Sequence, residues 1–326
     1  MTTIGKYRHF SRVADTNGHF IVMAIDHRGN LFGRLNQHAS HPLTDDDFVI
    51  FKQSVTRALM PHTSAILADP KYAIVGSIAN YVISGDKGLI APIEITDYDT
   101  HPSQRNMTRI PNWSVKKIKM MGGDGVKSLL PYNPQAENHA ETLDFVQYLI
   151  NECTTYDVPL FLEPIPYALD PSATLSNADL LQMSVEMCQT FSQMGVDSLK
   201  LPFPVNHKLS QDMSQWQEAC EAITEACDVP WALLSAGVDF DTFIKQTEIA
   251  CQAGASGVIV GRAIWTEAIA LQGDDRTQFF ETTASERMRQ LAEVCTQYAK
   301  AWHDSVQTPN QAINWYEHYQ SDEETS

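Results

Sequence analysis

Eight short runs of β-forming residues, separated by segments of helical periodicity, constrain this 326-residue chain more than any other feature. They are Phe20 to Asp26 (FIVMAID), Ser64 to Asp69 (SAILAD), Gly88 to Glu94 (GLIAPIE), Gly125 to Tyr132 (GVKSLLPY), Pro159 to Pro166 (PLFLEPIP), Ser198 to Val205 (SLKLPFPV), Pro230 to Gly237 (PWALLSAG) and Gly257 to Ile264 (GVIVGRAI). Near-continuous apolar runs of this length suit strands buried on both faces, as in a parallel sheet covered by helices. Helical spacing is expected over Asp45 to Met60, Trp113 to Met121, Glu137 to Thr154, Ala178 to Met194, Gln215 to Ala226 and Phe240 to Ala253. In MMGGDGVK, QMGVDSLK and QAGASGVIV a glycine stands between helix and strand, where the helix must end in a left-handed turn.

Eight strands alternating with helices predict an α/β fold, a single (β/α)8 TIM barrel with a C-terminal helix. The barrel is expected over residues 1–306, closed by an amphipathic helix from Ala284 to Asp304, with a polar acidic C-terminal tail over 307–326. An open doubly wound sheet is the competing architecture. It fits less well because no G-x-G-x-x-G follows the first run, and charged residues stand after nearly every strand instead of at one switch point.

With 23 Lys and Arg against 40 Asp and Glu, the formal charge is -17, which repels nucleic acid and anionic lipid over most of the surface. Neither is an expected partner, and an anionic substrate would need the few basic residues gathered in one pocket. No C-x-x-C pair occurs among the six cysteines and no apolar stretch reaches the roughly 20 residues of a membrane helix, so a reduced, cytoplasmic setting without membrane contact is expected. Homo-oligomerisation is compatible with the sequence.

In a barrel the active site lies at the C-terminal ends of the strands. There the runs carry Asp26, Glu94, Lys127, Glu163, Lys200 and Arg262. Lys200 has apolar neighbours on both sides. Burial strips hydration from an ammonium and favours the neutral amine, a nucleophile toward ketones whose protonated imine is an electron sink for carbon–carbon cleavage. Lys127, two strands away, would add like-charge repulsion if both point inward. A lysine that snorkels to solvent, or a structural Lys–Glu pair with Glu163 on the adjacent strand, explains the same residues without catalysis. Glu163 beside a nucleophile would carry protons.

Asp26 opens AIDHRG, in which His27 and Arg28 follow at the mouth of the first strand. The planar fork of Arg28 matches phosphate oxygens, whereas a lone His is more often a packing residue. The small residues Ser235, Ala236 and Gly237 after strand seven, with Gly261 and Arg262 after strand eight, occupy the two loops that commonly hold phosphate in barrels. Glycines that merely serve tight turns are the alternative. The eleven histidines show no H-x-H or H-E-x-x-H spacing, so no metal site is expected, and no cofactor.

Together AIDHRG, SAILADP, GVKSLLPY, PLFLEP, SLKLPFPVN, LLSAGVD and AGASGVIVGRAIW resemble the class I tagatose 1,6-bisphosphate aldolases and the related sulfofructosephosphate aldolases, over nearly the whole chain. The resemblance implies cleavage of a phosphorylated ketose to dihydroxyacetone phosphate and glyceraldehyde 3-phosphate. It implies that Lys200 forms the Schiff base, that Glu163 transfers protons, and that Asp26 and Lys127 are polar active-site residues. Ser235, Gly261 and Arg262 would hold the C1 phosphate. His27 is a departure, since the family often has glutamine after the aspartate. A phosphosugar isomerase and a barrel that binds a sugar phosphate without catalysis are the other function classes.

Overall fold

A computed structural model describes residues 2–319 apart from 96, 98 and 99. Its strands are β1 (Phe20–Ile25), β2 (Ala65–Ala68), β3 (Gly88–Pro92), β4 (Gly125–Tyr132), β5 (Leu160–Pro166), β6 (Ser198–Leu201), β7 (Trp231–Leu233) and β8 (Gly257–Val260). Each pairs in parallel with the next, and β8 returns to β1, so the sheet is a closed barrel. This is the expected α/β (β/α)8 architecture.

Alternation along each strand divides the apolar residues into two cores. Ile21, Met23, Ile66, Leu89, Val126, Leu160, Leu199 and Val258 face outward and pack under the helices. Phe20, Val22, Ala24, Ala65, Leu67, Ile90, Phe161, Ala232 and Ile259 face inward and fill the barrel. A side-chain period of two then carries the inward row upward. Ala24 leads to Asp26, Gly125 to Lys127, Phe161 to Glu163, and Ser198 to Lys200.

The bottom of the barrel is plugged by aromatics. Phe10, from the helix Ile4–Val13, stacks on Phe20 at 6.0 Å and on Trp302 at 5.1 Å, and meets Phe161 edge-on at 5.5 Å. Trp302 reaches this position because the C-terminal helix stops at Tyr298, not at Asp304 as expected. Ala299 is extended, and the Trp302 backbone N–H donates to Gly18 O at 2.9 Å, turning the chain under the barrel.

Several predicted strands end early for local reasons. In β6, Pro202 and Pro204 remove backbone donors, in β7 the chain turns at Ala236 and Gly237, and in β8 Gly261 leads into a short helix, Arg262–Trp265. The glycines expected to end helices, Gly122, Gly195 and Gly254, all have positive φ, between 88° and 115°. Of the C-terminal tail, 307–319 includes a turn at Trp315–His318, and the Tyr319 hydroxyl donates to Asp157; its acidic end lies outside the described residues. All six cysteines are unpaired. Among the described residues no helix is long and apolar enough to cross a membrane.

Candidate active site

Three carboxylates converge on one ammonium above the inner core. Lys127 Nζ lies 3.1 Å from Asp26 Oδ2, 2.9 Å from Glu94 Oε1 and 3.0 Å from Glu163 Oε2. Lys127 donates hydrogen bonds to Asp26 and Glu94 and is ion-paired with Glu163. Lys200 Nζ lies 2.9 Å from the same Glu163 Oε2. Among the described residues Glu163 is its one hydrogen-bond partner. The expected direct repulsion between the two lysines is therefore bridged by the Glu163 carboxylate. Glu94, Glu163 and the two lysines are buried, Lys127 at 3% and Lys200 at 5% exposure, and Asp26 is half-buried.

The electrostatics separate these groups. Burial alone would lower Lys127, yet Asp26, Glu163 and Glu94 outweigh it and hold its ammonium well above the usual lysine range. Burial works against the charged forms of Asp26 and Glu163, but the lysines reverse it. Lys127 and Lys200 hold both carboxyls below the ordinary range, with His27 adding to the effect on Asp26. For Glu94 burial prevails over Lys127, and its carboxyl is pushed up. Its Oε2 is buried without a partner, consistent with a group at the edge of ionisation.

Glu94 belongs to this set, although in the sequence only its place at a strand end singles it out. Its backbone is pinned from two sides: Arg28 Nη2 donates to Glu94 O at 2.7 Å, and the segment after β3 folds back so that Arg109 bridges Glu94 in antiparallel fashion. Arg28, expected to meet a phosphate, gives one of its donors to this carbonyl and so ties the first loop to the third. His27 sits between Asp26 and Trp265. Its Nδ1 is 3.8 Å from Asp26 Oδ1, too long for a hydrogen bond, and its ring meets the Trp265 ring edge-on at 5.3 Å. Burial and the nearby Arg262 outweigh Asp26 and push the imidazole down to about 4, so it is neutral near pH 7.

The loops after β7 and β8 lie together. Ala236 (φ 47°) and Gly237 (φ 81°) form a left-handed turn closed by the Val238 N–H donating to Ser235 O at 3.0 Å. The left-handed φ of Gly237 favours glycine, and a Cβ there would be only in ordinary contact, 3.4 Å, with the Arg262 guanidinium, which lies against the turn. At Gly261 a Cβ would strike Ala24 O at 2.7 Å and crowd the His27 ring at 3.1 Å. The arrangement offers backbone donors beside a cation, chemistry suited to an anion. Two larger hollows, one between Leu35, Phe51 and Arg276 and another between Met107, Trp113 and Tyr148, contain none of the site lysines.

A sequence model of DeoC/LacD family aldolases matches residues 20–267. The tagatose 1,6-diphosphate aldolase of Listeria monocytogenes is 33% identical over 322 residues, covering 92% of this chain and 94% of that protein. Tagatose 1,6-diphosphate aldolase 2 of Enterococcus faecalis is 31% identical over 328 residues, with 94% and 98% covered. Among solved structures, an archaeal fructose 1,6-bisphosphate aldolase superposes with a TM-score of 0.61 at 16% identity, covering 90% of this chain and 99% of that one. Fructose-bisphosphate aldolase from Plasmodium falciparum superposes with a TM-score of 0.71 at 10% identity, covering 91% and 95%. At such identities the structural likeness speaks for the fold.

Proposed function

As this chain belongs to the DeoC/LacD family of aldolases and is a carbon–carbon lyase, we propose that it cleaves a phosphorylated ketose, tagatose 1,6-bisphosphate, through a Schiff base on Lys200. The observation that carries the choice of lysine is the unequal pairing of the two. Lys127 is paired with three carboxylates, whereas Lys200 meets Glu163 alone. Freeing the Lys127 amine for attack would remove the lysine partner of Asp26 and Glu94, whereas Glu163 keeps Lys127 when Lys200 reacts.

In this reading the neutral Lys200 amine adds to the C2 carbonyl, and the carbinolamine loses water to give an iminium. The C3–C4 bond then breaks as the C4 hydroxyl proton leaves, the electron pair passing to the iminium nitrogen as an enamine. The aldehyde half departs as glyceraldehyde 3-phosphate. Protonation of the enamine at C3 and hydrolysis of the iminium release dihydroxyacetone phosphate and regenerate the amine. Glu163, within 2.9 Å of Lys200 Nζ, is placed to carry protons for the carbinolamine and the C4 hydroxyl. Lys127 pairs with the Glu163 carboxylate and holds its charge, and Asp26 in turn anchors the Lys127 ammonium. Ser235, Ala236 and Gly237 with Gly261 and Arg262 receive the C1 phosphate, and the chain's overall charge of -17 makes this local cation necessary.

Borohydride reduction in the presence of dihydroxyacetone phosphate tests the reading. A reduced adduct on the peptide containing Lys200 is expected. No adduct, or one on Lys127, would overturn it. The same panel separates substrates: tagatose 1,6-bisphosphate is expected to be cleaved with a higher kcat/KM than sulfofructose phosphate.

A further inference from the structure

Lys52 lies outside the cluster above and is fully buried, as is its partner Asp69. It projects from the helix Asp45–Leu59 to the C-terminal ends of β1 and β2. Its ammonium donates to Ile25 O at 2.9 Å, to His27 O at 2.7 Å and to the Asp69 carboxylate. The other Asp69 oxygen accepts from the backbone N–H groups of Lys71 at 3.0 Å and Tyr72 at 2.8 Å, which holds the carboxylate still. The Phe48 ring lies 4.8 Å from the same nitrogen.

Two of these acceptors bracket the residues that reach into the site. The Ile25 carbonyl belongs to the peptide plane before Asp26, and the His27 carbonyl to the plane after His27. One ammonium thus clamps both ends of the Asp26–His27 dipeptide, whose side chains meet Lys127 and Trp265. Stability alone explains the arrangement poorly, because well-packed apolar residues often replace a buried ion pair at no loss. A methionine of similar reach would fill the space but leave the dipeptide unanchored.

We propose that Lys52 is a positioning residue for the lyase reaction, acting on the Lys127–Glu163–Lys200 network by fixing the backbone on both sides of Asp26 and His27. The inference rests on the role proposed for that network. Misplacing a catalytic group by about 1 Å can cost about 100-fold in rate.

The test is a double-mutant cycle on the full chain, comparing Lys52→Met in the parent and in Asp26→Asn. A kcat loss of about 10- to 100-fold with KM within about threefold is expected in the parent, and less than about threefold in Asp26→Asn, where the clamped carboxylate is gone. Lys6→Met is the control, because it breaks a buried pair with Asp197 at the opposite end of the barrel and should lower thermal stability without changing kcat. If Lys52→Met does not fold, Lys52→Met with Asp69→Asn, which removes both buried charges, takes its place. An equal loss in both backgrounds, an unchanged kcat, a matching loss in Lys6→Met, or failure of both Lys52 variants to fold would each overturn the proposal. Borohydride trapping on Lys200 is scored separately in the parent protein. Its absence would overturn the Schiff-base reading while leaving the coupling of Lys52 to Asp26 to be judged by the cycle.

Discussion

Replacing His27 by glutamine should flatten the dependence of stability on pH between 7 and 5. An unfolded histidine titrates near 6.5, whereas in the folded protein burial, with Arg262 nearby, pushes His27 down to about 4. As pH falls through 6.5 the unfolded chain takes up a proton that the folded chain refuses, so unfolding becomes easier, and the loss is complete only below about 4. Integrated from pH 7 to pH 5, this linkage removes about 2 kcal/mol from the parent protein. The ring is 28% exposed, so solvent screening reduces this figure only modestly. Glutamine does not titrate, and every other group contributes to both proteins alike. Urea unfolding of parent and His27→Gln at pH 7 and pH 5 should therefore give a difference of differences of about 2 kcal/mol. Parallel pH dependences would show that His27 is solvated, and that the neutral-imidazole account of the Asp26–Trp265 contact is wrong.

Lys200→Ala should fold and lose cleavage by several orders of magnitude, measured by coupled assay beside a thermal melt, since the other amine in the network, on Lys127, is paired with three carboxylates. Arg262→Ala should weaken substrates bearing a C1 phosphate by about 2 to 5 kcal/mol while sparing unphosphorylated ketoses, and equal losses would make Arg262 structural. Glu94→Gln should cost less stability at pH 7 than Asp26→Asn in urea titrations, because burial drives Glu94 toward the neutral acid that glutamine mimics while Lys127 and Lys200 hold Asp26 ionised. The reverse order would refute the opposite shifts of Glu94 and Asp26. Cleavage should survive exhaustive EDTA treatment, because an iminium takes the electron pair for which a metal-dependent aldolase uses its ion. Loss of activity restored by zinc would refute the imine route.

The barrel was legible in the sequence because its cause is local. Eight apolar runs, each bounded by glycine, proline or a capped helix, leave few ways to bury every strand on both faces. The sequence also placed Lys127, Glu163 and Lys200 in the strands of the barrel, but whether they point inward was left to the structure. The aldolase family was likewise legible, from the combination of motifs at successive strand ends. Strand lengths were less so, and the C-terminal helix was drawn too long because nothing in the run CTQYAKAWHD announces that Trp302 is needed under the barrel floor.

Only the tertiary structure decided how the site's charges are shared. Asp26 and Lys127 are 101 residues apart, and Lys200 and Glu163 are 37 apart. Whether an inward lysine meets three carboxylates or one depends on the register of a closed sheet, which no single run contains. The same reason hid Glu94 as the third partner of Lys127, hid the bond from Arg28 to the Glu94 carbonyl, and kept the Lys52–Asp69 pair out of view. Lys52 lies in an ordinary amphipathic helix, and only packing turns its ammonium toward the end of β1. Sequence spacing fixes which face a side chain takes; hydrogen-bond satisfaction in a buried site is a property of all its neighbours at once, and those neighbours come from strands that meet only when the barrel closes.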